Sequence, residues 1–182
     1  MEFTLEEDKN YSYVPRTVVN AKEADITFAI AINFKSPGEL LTKKLVLKHN
    51  NLYVPVAPNG DINLKADKIV NFINKRFLGV KDVLTFNIAG NGIFTMKGIM
   101  TQEECDDFTY NLLYNIINHK SFLIKVKSIR SGGQTGFDES GIRAGIKLGI
   151  DTIAYYPKDF RIRDINGDRT QTREDVYKQF II

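Results

Sequence analysis

The sequence predicts an α/β fold, a parallel sheet with helices on both faces. Two observations predict it. Short apolar, β-branched runs alternate strictly with stretches of helical period, and three of the turns that follow those runs are rich in glycine. At 182 residues, the chain suits one domain, 1–182, built around a single sheet.

The first strand signal is Ile26 to Asn33, which follows the polar stretch Asn20 to Asp25 and is broken by Ser36, Pro37 and Gly38. Glu39 to His49 carries Leu40, Leu41, Leu45 and Val46 among lysines, the pattern of a helix packed on a sheet. A strand fits Leu52 to Val56, and a helix follows over Ile62 to Phe77, with Gly79 as its stop. Val83 to Ile88 reads as the next strand. Thr101 and Glu104 have the spacing of a capping box, opening a helix through Ile117. Ser121 to Ile129 is expected as a strand near the centre of the sheet, on the same sheet as Ile26 to Asn33. Asp138 to Leu148 is a helix closed by Gly149, and Asp151 to Tyr156 is a strand halted by Pro157. Lys158 to Arg169 reads as polar and turn-rich, and Thr172 to Phe180 as a short terminal helix.

Composition narrows the class of function. Hydrophobic residues make up 43% and charged residues 26%, a globular balance. The longest apolar runs, such as Phe28 to Ile32, fall far short of the roughly 20 residues that span a bilayer, so no membrane partner is expected. Met1 to Asn10 lacks the order of a secretion signal, which points to the cytoplasm. Cys105 is the only cysteine, which excludes an internal disulfide, and neither His49 nor His119 has metal-ligand spacing. A net charge of +3 is too mild for a duplex nucleic-acid binder.

In a parallel sheet, ligands bind beyond the C-terminal strand edge, so the residues after each strand carry the candidate chemistry. The strongest turn is Gly132, Gly133, Gln134, Thr135 and Gly136, which joins a strand to a helix with Asp138 in its first turn. Small residues there would let the backbone approach a phosphate held by free helix N–H groups; on this reading valine at Gly133 blocks the ligand and spares the fold. The turn lacks the Lys-Ser/Thr ending of a Walker loop and the dinucleotide spacing. The second turn is Ser36, Pro37 and Gly38 with Thr42 beyond it, and the third is Ala89, Gly90, Asn91 and Gly92. Each has a plain alternative as a turn without a ligand. Parallel strands would bring all three to one crevice.

Ser131-Gly132-Gly133-Gln134-Thr135-Gly136-Phe137-Asp138, then a helix, then Tyr156-Pro157-Lys158, resembles the opening of the SLOG-superfamily branch named for molybdenum-cofactor carriers. The later pieces of that family's pattern resemble Arg16-Thr17 with Asn20, Asp25-Ile26-Thr27, Ser36 to Thr42, and Asn87-Ile88-Ala89-Gly90, all of which precede the first motif here. The chain therefore resembles a circularly permuted SLOG fold. The resemblance implies a Rossmann-like sheet, a nucleotide-derived or phosphate-bearing ligand, and assembly into homo-oligomers. It also assigns Arg16 and Lys158 to the ligand site, and it names no cofactor. The related LOG phosphoribohydrolases share P-G-G-x-G-T-x-x-E, whose last glutamate is catalytic. Leu45 stands at that place, leaving Glu39, Asp138 and Glu139 as substitutes. The expectation is a ligand-holding protein, as carrier, sensor or sequestering protein, with a nucleotide hydrolase as the alternative. Arg161, Arg163, Arg169 and Arg173 mix with Asp159, Asp164 and Asp168, which suggests a salt-linked surface segment before an anion-gripping lid.

Overall fold

The computed structural model describes residues 1–181. Its elements alternate: β1 (Phe3–Glu7), α1 (Tyr13–Glu23), β2 (Ile26–Ile30), α2 (Pro37–Lys48), β3 (Leu52–Val56), α3 (Ile62–Phe77), β4 (Val83–Gly90), α4 (Gln102–Ile117), β5 (Lys125–Ser131), α5 (Phe137–Lys147) and β6 (Asp151–Tyr156). A 3₁₀ turn over Lys158–Phe160, a small hairpin of β7 (Ile162–Asp164) and β8 (Gly167–Arg169), and α6 (Arg173–Ile181) complete it. β1 to β6 form one sheet in the order β1-β6-β5-β4-β2-β3, every pair parallel. This is an α/β, Rossmann-like fold, with β5 near the centre.

Strand alternation sorts the side chains to two unlike faces. Ile26, Phe28 and Ile30 of β2, Val54 and Val56 of β3, and Leu84, Phe86 and Ile88 of β4 join buried residues of α3, α4 and α5 in the main core. Phe28 and Phe86 meet edge to face at 5.0 Å, the geometry their ring quadrupoles favour. Leu5, Ala154 and Tyr156 continue that face into a second cluster with Ile142 and Val176. The opposite face is polar near the strand ends. There Asn87 donates to Thr27, and Arg130 donates to Asn20 of α1. α1 and α2 cover it with a small apolar seam of Ala21, Leu45 and Val46.

The sheet positions a site through its strand order. β2 and β4 are neighbours, yet β2 leads into α2 beside α1, whereas β4 leads into α4 beside α3 and α5. Two adjacent connections that leave for opposite faces open a gap between them at the strand ends.

Several boundaries differ from the sequence reading. β2 stops at Ile30, and Ile32 and Asn33 belong to the loop, where both N–H groups bond the Asn91 side chain. β5 begins at Lys125 rather than Ser121 and runs through Ser131 into the glycine turn. β1 and α1 had no clear signal. β1 is an edge strand with acidic neighbours, and α1 buries Arg16 and Asn20, which removes the apolar period. The segment read as turn-rich holds the β7–β8 hairpin, whose Arg161–Asp168, Arg163–Asp168 and Arg169–Asp164 ion pairs form the salt-linked segment. No helix among the described residues is long and apolar enough to cross a membrane.

Candidate functional site

A crevice of about 470 Å³ opens at the C-terminal strand edge, within the size range of small-molecule sites. All three glycine-bearing turns reach it, through Ser36, Pro37 and Gly38, through Gly90, Asn91 and Gly92, and through Gly132 and Gln134. Thr42, Asp138 and Arg16 line it as well, so ten of the fourteen residues expected from the sequence meet there.

The turn after β2 is a helix start of ordinary chemistry. Ser36 caps α2 by accepting the Glu39 N–H at 3.4 Å, and Pro37 occupies a position where its missing N–H costs nothing. Thr42 spends its hydroxyl on the Gly38 carbonyl at 3.0 Å. Asn91 staples two turns together: its Oδ1 accepts the N–H groups of Ile32 at 3.0 Å and Asn33 at 2.9 Å.

The turn after β5 differs from its expected role. The N–H of Gly136 donates to Gln102 Oε1 at 2.7 Å, that of Phe137 to the Asn91 carbonyl at 3.3 Å, and that of Glu139 to the Gln134 carbonyl at 2.8 Å. These groups are therefore spent on the protein. Its glycines serve packing. A side chain at Gly133 would land on the Tyr156 ring, and φ of +67° there is a left-handed conformation. At Gly132 it would collide with Arg16 and Asp138, and at Gly136 with the backbone of Asn91 and Gly92. Gly133, Thr135 and Gly136 stand behind the crevice wall, and Thr135 donates to the Arg163 carbonyl at 2.6 Å. Lys158 is exposed and lies outside the crevice.

The floor is charged and buried. Arg16 Nη1 donates to Asp138 Oδ2 at 2.9 Å and also to the Gly132 carbonyl, while the Gly90 N–H donates to Asp138 Oδ1 at 3.1 Å. Asp138 thus leaves its own helix uncapped and ties together α1, β4 and the β5 turn. Burial pushes its carboxyl up, with Arg16 and the Gly90 N–H pulling the other way. Glu39, 3% exposed, takes no hydrogen bond from the described residues. Burial first, and the charge of Asp138 second, push it up to about 7. Of the three carboxyls weighed as substitutes, Glu139 is bound by Arg143 at 2.7 Å away from the crevice, and Asp138 is bound by Arg16. Glu39 alone of the three is free.

No family model, curated protein or solved structure matches this chain. The site must therefore be read from its own geometry and from the motif residues.

Four further lining residues stand outside those fourteen: Glu39, weighed above as a catalytic substitute, and Asn87, Tyr13 and Arg163. Asn87 carried a signal, as the first residue of the SLOG-like piece Asn87-Ile88-Ala89-Gly90. Arg163 belongs to the segment read first as salt-linked and second as an anion-gripping lid, and both it and Tyr13 reach the crevice through tertiary contacts. The Tyr13 hydroxyl donates to Asp168 at 2.8 Å, and Arg163 holds the same carboxylate at 2.8 Å. No three His, Cys, Asp or Glu side chains cluster as a metal site requires among the described residues.

Proposed function

We propose that the protein binds a nucleotide-derived or phosphate-bearing small molecule in this crevice, as a carrier, sensor or sequestering protein. The observation that carries the reading is the convergence of three strand-to-helix turns on one concave site at the β2–β4 switch point, where such sheets bind ligands. The SLOG-like motif residues support it, since the pieces after β2, β4 and β5 fall at the same edge although they are out of order in the chain. The permuted SLOG arrangement and assembly into homo-oligomers belong to this proposal.

The phosphate has donors at the mouth of the crevice. The N-terminal turn of α2 exposes Gly38 there, and Arg163, half exposed and holding Asp168 through Nε and Nη2, lines the crevice as well. Mass spectrometry of small molecules released by heat from protein purified from a cell extract tests the reading. A nucleotide or sugar phosphate in stoichiometric amount is the expected result, and a protein that carries and binds no phosphorylated molecule would sink it.

Glu39 favours a second reading, hydrolysis of a nucleotide's N-glycosidic bond. A carboxyl with no partner, pushed up to about 7 inside the crevice, is poised to exchange a proton near neutral pH. Chromatography of nucleoside monophosphates incubated with the protein separates the two readings. Intact ligand supports holding; free base whose release is lost in Glu39→Gln supports hydrolysis.

A further inference from the structure

Three side chains on the crevice lining keep a buried polar atom without a partner: Arg16 at Nε, Glu39 at Oε2 and Asn87 at Oδ1. Their residues are 8%, 3% and 3% exposed. Seven such atoms occur among the described residues, and three of them fall in this one site. Burying a polar group without a partner is unfavourable, so a cluster of such groups marks a place where a partner is expected from outside the chain.

We infer that Arg16, Glu39 and Asn87 form a recognition floor for the hydrogen-bonding edge of an uncharged heterocycle, which leaves the ligand's phosphate at the mouth. The inference rests on the binding reading above and adds the orientation and the chemical class of the buried half of the ligand.

Charge decides the orientation. Arg16 is the cation of the floor, and Asp138 already neutralises it at 2.9 Å. Asp138 and Glu39 sit close enough for the charge of one to raise the other. A phosphate lowered to this depth would meet the Glu39 carboxyl and an Arg16–Asp138 pair that carries no net charge to attract it, in a medium of low dielectric. A neutral ring meets no such repulsion. It also matches the chemistry of the atoms on offer: Nε of Arg16 is a donor, Oδ1 of Asn87 is an acceptor, and a carboxyl near its midpoint at neutral pH serves as either. A ring nitrogen or carbonyl beside an amino or N–H group, the pattern of a nucleobase edge, satisfies all three. Tyr13, Val14, Leu41 and Ala89 line the same crevice and supply apolar surface for the ring faces.

The heterocycle and the phosphate are separable by calorimetric titration of the full chain. The probes are the adenosine, guanosine, cytidine and uridine 5′-monophosphates, ribose 5-phosphate and inorganic phosphate. At least one nucleotide is expected to bind tenfold or more tightly than ribose 5-phosphate. Asn87→Leu, which removes the acceptor at nearly constant volume, should cut that preference by about tenfold, the effect of one hydrogen bond lost in a buried site. Glu39→Gln provides the same measurement if Asn87→Leu does not fold. Equal affinity for ribose 5-phosphate and every nucleotide, or a preference unchanged in the variant, overturns the recognition floor while the phosphate-binding reading stands. No binding of any of the six probes overturns both.

Discussion

Asp138, in the first turn of α5, accepts a hydrogen bond at 2.9 Å from Arg16 of α1, 122 residues earlier in the chain, and both side chains are about nine-tenths buried. The pair fixes α1 against the glycine turn. It also explains Gly132, since any side chain there would displace the guanidinium.

Breaking this pair from one side should be costly. Arg16→Met leaves a buried carboxylate without its cation, a change that typically costs about 3–5 kcal/mol. Urea denaturation is expected to show a loss in that range. The double variant Arg16→Met/Asp138→Leu should recover a large part of it, because no charge is then stranded. A single-variant loss below about 1 kcal/mol would mean that the pair does not hold the fold.

Gly133 should behave as a packing residue. Alanine there must adopt a left-handed conformation, at about 1–2 kcal/mol, and must also push into the Tyr156 ring. Gly133→Ala is therefore expected to lower stability by more than about 2 kcal/mol in thermal melts, whether or not ligand is present. An unchanged melting temperature would restore the other role for this glycine, close approach of backbone to ligand.

How far the sequence speaks depends on whether a contact is local. The strands with apolar alternation and the helices with clear caps are legible, down to the Thr101–Glu104 capping box, because neighbours in the chain determine them. The convergence of the three turns is legible too, given only that the strands are parallel. The role of each turn glycine is not. Gly132, Gly133 and Gly136 are set by Arg16, Tyr156 and Asn91, all remote in sequence, and nothing in the motif names those partners. α1 was hidden for a similar reason: beside the apolar Val18 and Ala21, its buried face carries Arg16 and Asn20, which pack by hydrogen bonds to partners remote in the chain.

The Asp168 carboxylate links the β7–β8 hairpin to Tyr13 of α1. Asp168 accepts from Tyr13, Arg161 and Arg163, and those hydrogen bonds hold its carboxyl far below the usual range. Asp168→Asn should loosen the hairpin without unfolding the sheet, since the hairpin forms its own two-stranded unit. Amide hydrogen exchange over 161–172 is expected to speed up several-fold, with β4 and β5 unchanged. Uniform protection across the hairpin would show that the network is dispensable. The pairs are partly exposed, so high salt should weaken the latch in the wild type as well.

The last prediction uses the titration of Glu39. Its carboxyl lies near 4.5 when unfolded and about 7 when folded, so the folded state holds the proton more tightly. Below 4.5 both states are protonated, and the burial of Glu39 carries no charge penalty. As pH rises from 4.5 through 7, the unfolded chain ionises first and gains free energy that the folded chain lacks, so stability falls across that window. Glu39→Gln removes this dependence. The stability of the variant relative to wild type should therefore rise by about 2–3 kcal/mol between pH 5 and pH 8, the size expected for a shift of this order. Urea denaturation of both proteins at the two pH values measures it, and comparing the difference between pH values cancels the fixed cost of burying an amide. A difference independent of pH would mean that Glu39 ionises normally in the crevice, and the proton-exchange role in the hydrolase reading would fall with it.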